Sequence, residues 1–171
     1  QDVWDSKECL RLIEKHKVQV SIAGASFLTD LLEAESLKNS ELSEWKRLVY
    51  IGVSIPASVL ERADETLPCV VLPGWGMTEC GLLTVCQPID SFKRRLSHGH
   101  PHSGNSVRVV DDRGLTVVNR EGNLQCQGSL CFVGYLKGRE STESFWNGDW
   151  FDTGDRAWVD SSGYIKIFGR S

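Results

Sequence analysis

The first half of the chain alternates between helical patterns and short apolar runs. Asp5 and Glu8 have the spacing of a capping box, and the apolar positions after them recur at helical spacing up to about His16. Two further helical patterns follow, and continuous apolar runs lie between them. The patterns predict helices over residues 5–16, 27–32 and 54–65 (with Pro56 as an alternative start of the third) and strands over 18–23, 48–51 and 69–72.

The pattern changes after residue 90, where short strand-like runs are separated by turn residues. The predicted strands are Val107–Val110, Leu115–Val118, Leu124–Gln127, Leu130–Tyr135 and Tyr164–Phe168. Alternating strands and helices favour a parallel sheet, whereas consecutive short strands favour an antiparallel one. We therefore predict an α/β fold, with a mostly parallel sheet and flanking helices over residues 1–90 and an antiparallel, barrel-like region over residues 91–171.

Composition excludes several classes of protein. With 171 residues, 40% of them hydrophobic and 25% charged, the chain resembles an ordinary globular domain. A net charge of −4 gives no basic surface for nucleic acid. No apolar run approaches the ~20 residues of a membrane-spanning helix. The six cysteines contain no Cys-x-x-Cys pair, so we expect reduced thiols and a cytoplasmic location.

The segment Pro73–Glu79 combines several residue types that suit a nucleotide. It follows an apolar strand and contains an aromatic ring (Trp75), glycines, a hydroxyl (Thr78) and a carboxylate (Glu79). The ring can stack on a base, glycine allows close approach of the backbone, and a carboxylate can bind Mg²⁺. The carboxyl end of a strand is also where α/β sheets bind ligands.

Two more motifs have functional and structural interpretations. Asp155, after Thr153-Gly154, could accept hydrogen bonds from a ribose diol, or the segment could be a polar turn between strands. Arg170 could be delivered to a site by the strand before it, or could be an exposed charge at a strand end. The alternating histidines 98, 100 and 102 lack a clear fourth metal ligand, and we interpret them as part of a solvated loop.

Taken together, these motifs resemble those of the adenylate-forming (AMP-binding) superfamily, which includes acyl-CoA synthetases, peptide-synthetase adenylation domains and firefly luciferase. The resemblance rests on the order of five segments: Gly52–Pro56, Trp75–Glu79, Gly122–Leu136, Thr153–Asp155 and Gly169–Arg170. The family usually has Tyr or Phe where Trp75 stands, a second glycine before Gly52, and Glu in place of Asn123.

The resemblance implies a role for each matched residue. Backbone near Gly52, Val53 and Ser54 would line one face of the adenine. Trp75 would stack on the other face, while Gly76 and Met77 would border the acyl pocket. Thr78 would bind the α-phosphate and Glu79 would bind magnesium, which makes these two the expected catalytic residues. Asp155 would bind the ribose hydroxyls, with Arg170 beside it.

The implied activity is ATP-dependent: a carboxylic acid forms an acyl-adenylate, and coenzyme A then displaces AMP. Trp4-Asp5 and the uncharged stretch Ala23–Leu28 are similar to short- or medium-chain or alicyclic acyl-CoA synthetases. The family's phosphate loop and its C-terminal lysine domain are not in this sequence. We therefore expect an excised, inactive fragment of the large N-terminal domain. A non-catalytic nucleotide-binding or interaction module and an amino-acid adenylation domain are the alternatives.

Overall fold

The chain folds as two compact units. The computed structural model describes residues 3–52, 54–136 and 142–170. The first unit is Gln1–Pro73 and the second is Gly74–Ser171. Strand β3 (Val70–Met77) begins in the first unit and ends in the second. This boundary precedes the change of sequence pattern at residue 90.

The first unit contains the predicted helices and parallel strands. Its described residues form α1 (Ser6–Lys15), β1 (Val20–Gly24), α2 (Ala25–Glu33), a 3-10 helix (Glu35–Asn39), β2 (Arg47–Ile51), α3 (Ala57–Thr66) and the start of β3. The strand pairs β1–β2 and β2–β3 are parallel. The predicted N-cap is confirmed: the Asp5 carboxylate accepts hydrogen bonds from the backbone N–H groups of Lys7 (2.9 Å) and Glu8 (3.3 Å).

The described strands of the second unit pair in antiparallel fashion, which the sequence predicts only from residue 91 onward. The end of β3 pairs with β4 (Gly81–Val85), which pairs with β5 (His100–Pro101). A further sheet has the order β11-β10-β8-β6-β7, with β9 on β10. Its strands are β6 (Asn105–Val110), β7 (Thr116–Val117), β8 (Glu121–Gly128), β9 (Trp146–Asn147), β10 (Trp150–Val159) and β11 (Ile165–Arg170).

Side chains from both sheets of the second unit form one core. The most deeply buried members, such as Leu83, Leu124 and Phe151, come from strands that are far apart in sequence. Trp75, at the end of β3, is also part of this core and is only 4% exposed. The core therefore fixes the residues at the end of β3 relative to β8 and β10.

One strand prediction is wrong, and one alternative for a second segment is excluded. Residues 130–135 form no strand, because their backbone bonds to the β3–β4 turn and to Thr142 rather than to a neighbouring strand. Residues 150–155 are not a turn but the first part of the ten-residue strand β10. The sequence also gives no prediction of β4, β5, β9 and β10, and two of these, β5 and β9, are only two residues long.

His98 does not lie in a solvated loop. Its side chain is buried, and its ring nitrogen Nδ1 accepts a hydrogen bond from the backbone N–H of Ile167 in β11 (3.2 Å). The Thr84 hydroxyl donates to the His98 carbonyl at 2.8 Å. Burial lowers the pKa of His98 to about 4, so the ring is neutral at physiological pH.

All six cysteines are free thiols. Burial raises the pKa of Cys69 to about 12 and that of Cys86 to about 11, so both thiols stay protonated. Among the described residues, no helix has the length and apolar character needed to cross a membrane.

Candidate functional site

The Thr153-Gly154-Asp155 motif forms a bulge in β10. Asp152 lies opposite Gln125 of β8 and Arg156 lies opposite Asn123, so three residues of β10 face the single residue Leu124. The middle residue, Gly154, has φ = 71°, which favours glycine. Bulges of this kind re-aim side chains next to functional sites.

The Thr153 hydroxyl stabilises the bulge. It is buried, donates to the carbonyl of Leu124 (2.9 Å) and accepts from the backbone N–H of Asp155 (3.1 Å). The Gly154 N–H donates to the Asp152 carboxylate at 3.0 Å. These side-chain hydrogen bonds take the place of the regular ladder where the register shifts, and they fix the backbone from which the Asp155 side chain projects.

Both carboxylate oxygens of Asp155 are held by residues from other strands. The indole Nε1–H of Trp75 donates to Oδ2 (3.1 Å), and Nε of Arg170 lies 3.2 Å from Oδ1. Arg170 is the β11 residue directly opposite Asp155, and its Nη1 also donates to the Thr153 carbonyl at 2.7 Å. The structure thus brings together three of the predicted residues, from β3, β10 and β11.

The environment of Asp155 has opposing effects on its acidity. Burial raises the pKa of this carboxyl above its ordinary value, while the Arg170 charge and the Trp75 hydrogen bond both oppose that rise. The Arg170 side chain is largely exposed and the Asp155 side chain is not. A buried carboxylate beside an accessible guanidinium can bind a ligand that carries both hydroxyl groups and negative charge.

Glu79 lies in the turn between β3 and β4, together with the exposed Thr78. The Tyr135 hydroxyl donates to Oε1 of Glu79 (2.7 Å), and the Phe132 N–H donates to the Glu79 carbonyl (2.7 Å). The Tyr135 N–H in turn donates to the Thr142 hydroxyl at 3.0 Å. The bond to Glu79 raises the pKa of the Tyr135 phenol. The segment 132–135 therefore holds both the backbone and the carboxylate of Glu79.

A bulge between β3 and β4 shapes the residues before Thr78. The pairing register shifts between Trp75 and Gly76. A Cβ atom on Gly76 would lie 2.0 Å from the backbone oxygen of Gly81, so this position requires glycine for packing alone. Met77 is half-buried and lies opposite Gly81. Because Trp75 is almost fully buried, little of its ring surface is accessible, and adenine stacking on it stays a prediction.

The residues predicted to line the adenine face opposite Trp75 belong to the first unit. Gly52 follows β2 with φ = 107°, and both Gly52 and Ser54 are exposed, ahead of α3. Val53 lies outside the described residues. In the second unit, the sequence motifs indicate no role for Tyr135 or for the Thr153 hydroxyl. Tyr135 does stand in the segment Gly134-Tyr135-Leu136 that contributes to the family resemblance.

The described residues contain no cluster of three or more His, Cys, Asp or Glu side chains that could hold a metal. Glu79 could therefore contribute only part of a coordination shell. A single carboxylate suits Mg²⁺, which usually binds one or two protein carboxylates and completes its coordination shell with phosphate oxygens and water.

Comparison with known proteins identifies the family. The family model described as AMP-binding enzyme matches residues 1–136, and the chain belongs to this family. The long-chain-fatty-acid–CoA ligase of Haemophilus influenzae is 27% identical over 167 residues, which cover 97% of this chain and 30% of that protein. The chain spans about one third of the length of the curated relatives it matches.

Two solved structures have the same fold over almost the whole chain. The anthranilate CoA ligase AuaEII, solved in complex with anthranoyl-AMP, is similar with a TM-score of 0.87 and 25% identity, over 96% of this chain and 32% of that one. The amide bond synthetase McbA from Marinactinospora thermotolerans has a TM-score of 0.92 and 24% identity, over 99% and 35% of the two chains. The predicted α/β fold class is thereby confirmed.

Proposed function

We propose that this chain is a segment of an ATP-dependent acyl-CoA synthetase. The observation that supports this most directly is the Trp75–Asp155–Arg170 arrangement, formed by the predicted motifs in a chain of the AMP-binding family. In the proposed reaction a carboxylate attacks the α-phosphorus of ATP and pyrophosphate leaves. The thiol of coenzyme A then attacks the acyl-adenylate, and AMP leaves.

In this proposal Asp155 binds the ribose. Each carboxylate oxygen has two lone pairs, and the bonds to Trp75 and Arg170 use one on each oxygen. The remaining lone pairs can accept hydrogen bonds from a vicinal diol, as acidic residues do in dinucleotide-binding folds. The Arg170 guanidinium, exposed beside the carboxylate, would reduce the negative charge around the nucleotide.

Thr78 and Glu79 would act at the phosphates. The Thr78 hydroxyl would donate to an α-phosphate oxygen, and the Glu79 carboxylate would be a magnesium ligand. A bound Mg²⁺ would neutralise phosphate charge as pyrophosphate leaves. Tyr135 holds Glu79 through Oε1, and this fixes the direction of the carboxylate before any ligand arrives.

The proposed substrates are a simple carboxylic acid, ATP with Mg²⁺, and coenzyme A. The name of the Haemophilus influenzae relative and the anthranoyl-AMP complex of AuaEII support an organic acid that is activated as its adenylate. Six free thiols fit the reducing cytoplasm, where ATP and coenzyme A are supplied. Because the chain spans a third of its relatives, we expect it to be inactive by itself.

Pyrophosphate release by the full-length parent tests the proposal. The parent is incubated with ATP, Mg²⁺ and a panel of carboxylic acids, with and without coenzyme A. Turnover that depends on coenzyme A and yields an acyl-CoA product is the expected result. Release with amino acids alone would indicate an adenylation domain. No release with any acid, from a folded parent that binds ATP, would indicate a non-catalytic module.

A further inference from the structure

The indole of Trp75 makes a specific contact in addition to its core packing. Its Nε1–H lies 3.1 Å from Oδ2 of Asp155, and the two residues are 80 positions apart in the sequence. Trp75 is 4% exposed and Asp155 is 6% exposed, so water competes little for the hydrogen bond between them. An indole N–H can only donate, and a buried donor without an acceptor is costly.

With the Trp75 contact, each oxygen of the Asp155 carboxylate has its own donor. Trp75 holds Oδ2 and Arg170 holds Oδ1, so rotation about the last side-chain bond would break both interactions. A phenylalanine ring in place of Trp75 would fill similar space but could not donate a hydrogen bond. The effect of the indole on the carboxylate can therefore be separated from its effect on packing.

We propose that Trp75 is a positioning residue that orients the Asp155 carboxylate for the ribose hydroxyls. This inference rests on the proposed ribose-binding role of Asp155. It assigns to Trp75 an edge contact through Nε1 in addition to the predicted stacking of its ring. Burial raises the pKa of Asp155, and the Arg170 charge and the Trp75 hydrogen bond both oppose that rise, so the indole favours the charged form that accepts hydrogen bonds.

The discriminating experiment compares ATP with 2′,3′-dideoxy-ATP in the full-length parent, without acid substrate. Wild-type protein should bind ATP more tightly, because only ATP offers the diol. Trp75→Phe should weaken ATP binding about tenfold and leave dideoxy-ATP binding unchanged, as loss of a hydrogen bond to a charged group implies. Trp158→Phe, which alters another tryptophan of the same unit, is the matched control and should change neither affinity.

Each other outcome has a defined meaning. Equal weakening of ATP and dideoxy-ATP binding by Trp75→Phe would indicate that the indole acts through ring contacts alone, and would overturn the positioning role. An unchanged ATP affinity in the variant would overturn it as well. If the wild-type protein does not distinguish the two nucleotides, the ribose role of Asp155 fails, and with it the part of the proposed function on which this inference rests.

A second measurement needs no change at Trp75. In the folded chain, the Nε1–H NMR resonance of Trp75 should move in Asp155→Asn by more than those of Trp146, Trp150 and Trp158. Hydrogen exchange of the same N–H should also become faster, because the acceptor loses its charge. A Trp75 resonance that moves no more than the other three would show that the hydrogen bond does not form, and would refute the inference independently of nucleotide binding.

Discussion

Replacing Thr153 with valine tests whether the hydroxyl holds the β10 bulge. The two side chains have the same shape, so the change removes the hydroxyl and little packing. The substitution removes the hydroxyl that hydrogen-bonds two backbone groups, the Leu124 carbonyl and the Asp155 N–H. Both residues are buried, and an unsatisfied buried polar group costs about 1–3 kcal/mol. The expected loss of unfolding free energy is therefore about 3 kcal/mol.

The assay has to report on the second unit itself. Native-state hydrogen exchange of amides in β8 and β10 measures the opening free energy of these strands, and a urea titration gives a parallel value. For a unit of 98 residues (74–171), a loss of about 3 kcal/mol should lower the melting temperature by more than about 10 °C. Because Asp155 would lose its backbone anchor, ATP binding by the parent should weaken as well.

Two controls make the interpretation specific. Thr153→Ser keeps the hydroxyl and removes one methyl group, which should cost about 1 kcal/mol. Thr116→Val changes an exposed threonine of β7 in the same unit and should have an effect within about 0.5 kcal/mol. A cost below about 0.5 kcal/mol for Thr153→Val, or an equal cost for serine and valine at this position, would refute the argument.

Three further predictions follow from the same unit. Gly76→Ala should unfold this unit, because the new Cβ atom would lie 2.0 Å from the Gly81 backbone oxygen. Gly148 has a positive φ and open space around it, so Gly148→Ala should lower the free energy of unfolding by only about 1–2 kcal/mol. Similar urea midpoints for the two variants would contradict this prediction. Tyr135→Phe removes the hydrogen bond to Glu79 and should raise the Mg²⁺ concentration for half-maximal pyrophosphate release about tenfold. Tyr164→Phe is the control and should leave this concentration unchanged. An unchanged Mg²⁺ titration in Tyr135→Phe would refute the prediction. Because the pKa of His98 is lowered to about 4, the unfolded chain takes up a proton first as pH falls. Stability should therefore drop by about 3 kcal/mol between pH 6.5 and pH 4. His98→Asn should reduce this drop, and equal pH dependence of urea unfolding in both proteins would contradict the assignment.

The sequence predicts the first unit well because its signals are local. The Asp5 cap acts within one helical turn, and the apolar faces of the helices recur within a few residues. Parallel strands buried on both faces are continuous apolar runs, which stand out from the helices around them. Each of these features can be recognised in a short window of sequence, and the structure has them within a few residues of the predicted positions.

The second unit is harder to predict because polar residues occupy buried positions. Along β10 the buried residues alternate, but Thr153 and Asp155 fall on the inward face, and this hides the strand pattern. Their partners Leu124 and Trp75 lie 29 and 80 residues away, so nothing nearby in the sequence indicates that these polar groups can be satisfied. A polar turn, one of the two interpretations of this segment, follows from local residue types alone, and the pairing of distant strands overrides it.

The residue types of the candidate site can be recognised in the sequence, whereas their contacts cannot. A carboxylate, a guanidinium and a threonine are properties of single residues, and their order in the motifs is visible in the sequence. Which nitrogen faces which oxygen depends on register: the pairing of Asp155 with Arg170 and the three-residue bulge opposite Leu124 set both contacts of Arg170. A change of one residue in either pairing would turn the Asp155 side chain to the other face of the sheet. The hydrogen bonds of Thr153 and Trp75 therefore specify the site as much as the charged residues do, because they hold the one register in which those charges meet.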